Sequence, residues 1–150
     1  MARGRWAGVW TLVACGACAS DAFLGPPDGL THALGTASCG PRSYTVSIYL
    51  AAIPIAAPQP TEPYLRLSVL QPIERLGPGS WVVAGSESEV SAQYFFAADS
   101  AEFAGAGRLT ITAVDPDTTI HGAVDLRFPT AGRMTGTFQA VWLPRVPPCR

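Results

Sequence analysis

Apolar and polar side chains alternate one for one through the last third of the chain. Leu109, Ile111 and Ala113 share one face, and Arg108, Thr110 and Thr112 share the other. After Asp115-Pro116-Asp117-Thr118, the residues Ile120, Gly122, Val124, Leu126 and Phe128 point one way, against His121, Asp125 and Arg127. Beyond Thr130-Ala131-Gly132, Met134, Gly136, Phe138, Ala140 and Trp142 alternate with Thr135, Thr137, Gln139 and Val141. Successive side chains leave opposite sides of a pleat, so this rhythm predicts three half-buried strands in a β-meander from Gly107 to Trp142. The turns agree. Pro116 presets φ, Asp115 can cap the turn, and Gly132 supplies a positive-φ position.

The same rhythm recurs upstream in shorter pieces. Tyr44, Val46, Ile48 and Leu50 alternate with Thr45, Ser47, Tyr49 and Ala51, predicting a strand over Ser43–Ala52. Pro54, Pro58, Pro60 and Pro63 then mark an exposed connection, because proline cannot donate to a ladder. A second strand is predicted at Tyr64–Leu70, with Leu65, Leu67 and Val69 inward. Pro72–Leu76 fits one helical turn. Trp81–Ala84 and Gln93–Ala97 read as strands on either side of an acidic loop bearing Glu87 and Glu89, and Asp99–Phe103 reads as a link with a brief helical turn. Residues 20–38 read as a tether, since Gly25-Pro26-Pro27-Asp28-Gly29 holds neither helix nor central strand; Leu30–Thr36 docks as a short edge strand at most. No helical period of useful length appears. The expected fold is therefore all-β, an antiparallel β-sandwich or flattened barrel of about seven strands ending in the meander. The expected boundaries are 1–14 signal, 15–38 tether and 39–150 folded domain.

At 150 residues this is one domain with a tail, long enough for a two-layer core. Lys and Asn are absent, and charged residues make up only 14% of the chain, which excludes an acidic disordered tail and a nucleic-acid binder.

The N-terminus changes the picture. Arg3 and Arg5 precede the short apolar run Trp6–Ala14, the layout of an export signal. Leu12-Val13-Ala14-Cys15 resembles the bacterial lipobox, in which the cysteine thiol is acylated and the peptide is cut before it. That resemblance implies lipid attachment at Cys15, with the membrane as a partner through the lipid. Gly16, where aspartate would retain the protein in the inner membrane, implies the outer membrane. Two or three acyl chains anchor firmly, at about 0.8 kcal/mol per buried CH₂. A plain secretory cut after Ala17-Cys18-Ala19 is the competing reading, giving a soluble periplasmic or secreted product. Loss of Arg3 and Arg5 leaves 8 basic against 11 acidic residues, a formal charge of −3. Anchoring then falls to the lipid rather than to a basic patch.

The second half resembles a group of small bacterial lipoproteins of uncharacterised function. The residues concerned are Leu76-Gly77-Pro78-Gly79, Gly107-Arg108-Leu109-Thr110-Ile111-Thr112, Gly122-Ala123-Val124-Asp125-Leu126 and Gly136-Thr137-Phe138-Gln139-Ala140, followed by Cys149. About half of the chain is covered, and the motifs are strand-packing ones. The resemblance implies an exported β-domain and brings no activity. The chain departs from that pattern in the Trp142–Pro148 stretch before the cysteine.

Catalytic chemistry has little to work with. His121 and Asp125 share the wet face of one strand, but four residues at the usual rise separate them by about 13 Å. Asp115 and Asp117 flank Pro116 and could join a weak Ca²⁺ site, but a turn needing Asx capping explains them better. His32 reads as a solvated linker side chain. HExxH, CxxC and GxSxG are all absent. No catalytic residue, metal site or cofactor is expected. Tyr94, Phe95, Phe96, Phe103, Phe128, Phe138 and Trp142 are expected in the core, or lining an apolar pocket if two sheets gape. The leading expectation is a non-enzymatic envelope module, and the alternative is a lipocalin-like carrier of a small apolar ligand.

Export places Cys39 and Cys149 in an oxidising compartment, where they are expected to pair. Chain entropy gives such a bond, closing a loop of about 100 residues, up to about 4.7 kcal/mol. The non-reduced protein should weigh a pair of hydrogens less than the reduced form and yield a peptide joining Cys39 to Cys149. Two alkylatable thiols at those positions would overturn the pairing.

Overall fold

The computed structural model of the chain describes residues 29–39, 44–56, 60–115 and 118–143. Nine strands form one sheet: β1 (His32–Cys39), β2 (Tyr44–Ala51), β3 (Tyr64–Val69), β4 (Gly79–Val83), β5 (Val90–Ala97), β6 (Ser100–Phe103), β7 (Ala106–Asp115), β8 (Thr119–Phe128) and β9 (Gly132–Trp142). A 3₁₀ turn, Ile73–Arg75, lies between β3 and β4. The all-β expectation holds.

The spatial order is β4-β7-β8-β9-β1-β2-β3-β5-β6. Neighbours run antiparallel except β1 and β9, which are parallel through Leu34↔Val141 and Gly35↔Trp142. Connectivity explains why the sheet rolls into a half-barrel. The outermost strand on one side, β6, joins the penultimate strand on the other, β7, through Ala104 and Gly105 alone. In a flat sheet those strands, seven places apart, would be roughly 34 Å from each other at ordinary strand spacing. Three Cα steps reach at most about 11 Å. The edges therefore curl toward each other, and backbone bonds hold them. Ala104 N–H donates to Ala92 O at 2.9 Å, Gly85 N–H to Ala104 O at 3.0 Å, and Gly105 N–H to Arg127 O at 2.9 Å. Glu102 on β6 adds a clasp, its two carboxylate oxygens accepting Thr130 N–H at 2.9 Å and Ala131 N–H at 2.7 Å in the β8–β9 turn.

The concave side is the core. Val46, Ile48, Leu50, Leu65, Leu67 and Val69 meet Leu109, Ile111, Ile120, Val124, Leu126, Phe138 and Trp142 in one buried cluster, joined from outside the strands by Leu30, Leu76 and Ala104. The meander keeps the predicted phase along β8 and β9. It slips in β7, where a bulge between Ile111 and Ala113 exposes Ala113 and turns Val114 toward the core.

Four expectations need correction. The sheet has nine strands, not about seven, and one parallel pair. Residues 32–38 are neither tether nor edge strand, because β1 sits between β9 and β2. Residues 100–103 form β6 rather than a helical link, paired to β5. The aromatics divide: Phe128, Phe138 and Trp142 are core, while Phe96 and Phe103 stand 48% and 37% exposed. A register shift between Phe95 and Ala97 breaks the alternation at the end of β5.

Two glycines are fixed by close packing. A Cβ at Gly122 would lie 2.6 Å from Thr110 O and 2.6 Å from the Phe138 ring, and one at Gly35 would lie 2.6 Å from the Trp142 ring. Gly122→Ala should cost about 1–3 kcal/mol by urea denaturation, the usual range for overpacking. Gly77→Ala, with nothing within 4 Å of its added carbon, should change stability far less.

Candidate functional site

No polar or charged residue is buried in the interior among the described residues. Chemistry capable of recognising a partner therefore sits on the convex side, in two groups.

The first is an arginine-lined recess where β7 begins. Arg108 on β7 faces Asp125 on β8, which faces Thr135 on β9. One register step away, Ala106 faces Arg127, which in turn faces Arg133. Ala106, Gly107, Arg108, Asp125 and Arg127 line a shallow recess of about 230 Å³. The small side chain of Ala106 leaves the space open. Gly107, at φ 151°, is backbone that an L side chain rarely adopts, and a Cβ there would strike Asp125 O and Leu126.

Charges around the recess are arranged unequally. Asp125 takes a two-pronged ion pair from Arg133, Nε to Oδ1 and Nη2 to Oδ2, each at 2.9 Å. That hydrogen bonding lowers the Asp125 pKa, with partial burial opposing it and the Arg133 and Arg127 charges adding to it. Arg108 Nη1 donates to Ser80 Oγ at 3.1 Å, and the Ser80 and Thr110 hydroxyls lie 3.2 Å apart. Arg127 and Arg133 are like charges directly opposite each other across a ladder, a placement that costs stability by itself.

The second group surrounds Arg66 on β3. Its guanidinium donates to Gln93 Oε1 and lies 5.3 Å from the centre of the Phe95 ring, a cation–π distance. Tyr64 stacks on Phe95 with centroids 4.5 Å apart, and Tyr49 tilts against Tyr64 at 6.1 Å. Tyr64 is buried on this outer side, and burial raises its phenol pKa, with the Arg66 charge opposing and Glu62 and Tyr49 reinforcing. Arg66 Nε is buried with no hydrogen-bond partner. These rings and this cation hold one another across β2, β3 and β5.

The residues singled out in the sequence fall as follows. Cys15, Cys18 and Cys149 lie outside the described residues; Cys39, at the exposed end of β1, is disulfide-bonded. His121 and Asp125 are not brought together: His121 Nε2 is 3.2 Å from Thr119 Oγ1, and Asp125 belongs to Arg133. Asp115 accepts Thr118 N–H through its backbone carbonyl at 3.1 Å, the turn role, while Asp117 lies outside the described residues. His32 opens β1, half-buried, rather than lying in a linker. Among the described residues no group of three His, Cys, Asp or Glu side chains could hold a metal, and no helix is long and apolar enough to cross a membrane. The arginine recess was missed. Arg108, Asp125, Arg127 and Arg133 all lie at outward positions of the meander, but only strand register makes them neighbours.

No family model, curated protein or solved structure matches the chain.

The Asp125–Arg133 pair is 38% and 54% exposed, so screening keeps its contribution small, in the range of about 0.2–1 kcal/mol for exposed pairs. Because folding lowers the Asp125 pKa, that contribution is present above the ordinary carboxylate range and disappears as pH falls through the lowered value. A double-mutant cycle of Asp125→Asn with Arg133→Gln, run by denaturant unfolding, should give a coupling in that range at neutral pH and none in acid.

Proposed function

We propose that this chain is a lipid-anchored β-domain of the bacterial envelope, acting as a non-enzymatic binding or structural module through its convex surface. The observation that carries the reading is the filled concave side. Its inward rows form one apolar cluster, and aromatic rings occupy the space above Gly35 and Gly122. Polar groups that could meet a partner lie on the other side of the sheet. The address rests on Leu12-Val13-Ala14-Cys15 and on the resemblance to small bacterial lipoproteins. In this proposal Cys15 carries the lipid, Gly16 directs the protein to the outer membrane, and Cys39 pairs with Cys149.

The half-barrel favours one second reading, a lipocalin-like carrier, since a rolled sheet with an apolar interior is a carrier's shape. Occupancy would then require Trp142 or Phe138 to move from its glycine. A fluorescent apolar probe that binds saturably, and is lost when Ala92 or Ala140 on the concave side is enlarged to Phe, would favour the carrier over the module.

The address has its own test. Expressed in a Gram-negative host, the protein should partition with outer membranes and carry the mass of acyl chains at Cys15, while Cys15→Ala should move to the soluble periplasmic fraction. Recovery of the unaltered chain as a soluble product cut after Ala19 would overturn the anchor.

A further inference from the structure

We propose that the arginine recess at the start of β7 binds a terminal phosphate group, available as free inorganic phosphate or as the monoester head of a lipid. Two guanidinium groups, Arg108 and Arg127, and one carboxylate, Asp125, line the recess. Both oxygens of that carboxylate are taken by Arg133. Two positive charges, on Arg108 and Arg127, are left facing a recess of about 230 Å³. A carboxylate ligand would neutralise half of that charge; a phosphomonoester carries close to two negative charges near pH 7 and accepts several hydrogen bonds.

Geometry points the same way. A guanidinium is a planar fork of five N–H donors that matches phosphate oxygens. Arg108 spends Nη1 on Ser80 Oγ, which orients the head and leaves other N–H groups for a ligand. Arg127 stands opposite Arg133 across the β8–β9 ladder, and an anion beside Arg127 offsets part of that repulsion. Ala106 supplies room where a larger outward side chain would fill the recess. The site is on the convex surface, so binding requires no opening of the core. It does not depend on whether Cys15 is acylated.

The test uses the full chain carrying Cys15→Ser, so that no acyl group holds the protein to vesicles. Inorganic phosphate is titrated by NMR, and flotation is measured with phosphatidylcholine vesicles with and without phosphatidic acid. Saturable phosphate binding is expected, weakened about tenfold or more by Arg108→Gln or Arg127→Gln, as for lost charge-assisted hydrogen bonds. Asp125→Asn should bind more tightly, because it removes the competing anion. Binding should weaken as pH falls through the second ionisation of the phosphate, where the dianion takes up a proton. Flotation only with phosphatidic acid assigns the lipid head, and phosphate binding without flotation assigns a soluble ligand; each supports the proposal. Absence of saturable binding to either probe overturns it. So does equal weakening by Arg75→Gln, an exposed arginine of the 3₁₀ turn outside the recess, since that would be general charge attraction.

Discussion

A two-residue crossing governs this molecule. Ala104 and Gly105 carry the chain from the last strand on one side of the sheet to the second strand on the other. So short a link leaves a nine-stranded sheet no choice but to roll. Rolling creates a concave side, and without a covering helix among the described residues that side must serve as the core. Hydrogen bonds from Gly85, Ala104 and Gly105 then satisfy backbone groups that an open edge would leave exposed. Glu102 does the same for the tip of the β8–β9 hairpin. Lengthening the link would remove the geometric reason for the half-barrel while leaving each strand's own pattern intact.

Rolling also sorts the chemistry. A narrow curl with large side chains on β8 and β9 needs small ones opposite, which is why Ala33, Gly35 and Ala37 face inward on β1. Trp142 lies over Gly35 and Phe138 over Gly122, so the ring volume is accommodated by missing Cβ atoms. With the concave side filled, charge goes to the convex side. There it is grouped, not scattered. Arg66 is held among rings, whereas Arg108 and Arg127 border open space.

The contrast between these two arginine environments decides which one can recognise a ligand. Arg66 has its guanidinium committed to Gln93 and to the face of Phe95, and its Nε is sealed from solvent. It stiffens the β3–β5 pairing. At the recess, Asp125 pairs with Arg133, and the remaining charge is exposed to whatever approaches.

The chain alone determined the fold class and the inward face of most strands. A two-residue rhythm of Ile, Val, Leu and Phe against Thr, Arg and Gln has one physical outcome, as in β2, β3, β8 and β9. It also determined the turn around Gly132, whose φ is 79°. It did not reveal β1 as an interior strand, because Ala33, Gly35 and Ala37 give no hydrophobic contrast to read; their smallness means something only once Trp142 is opposite. Nor did it reveal β6, which is four residues long, or the phase slip at Ile111, since a bulge is a property of two paired strands. The arginine recess depends on register in the same way. Arg108 is far from Arg133 along the chain, and only antiparallel pairing through β8 places both beside Asp125. Local alternation is written in neighbours a residue or two apart, whereas a site made across strands exists only after the sheet has chosen its pairing and its curl.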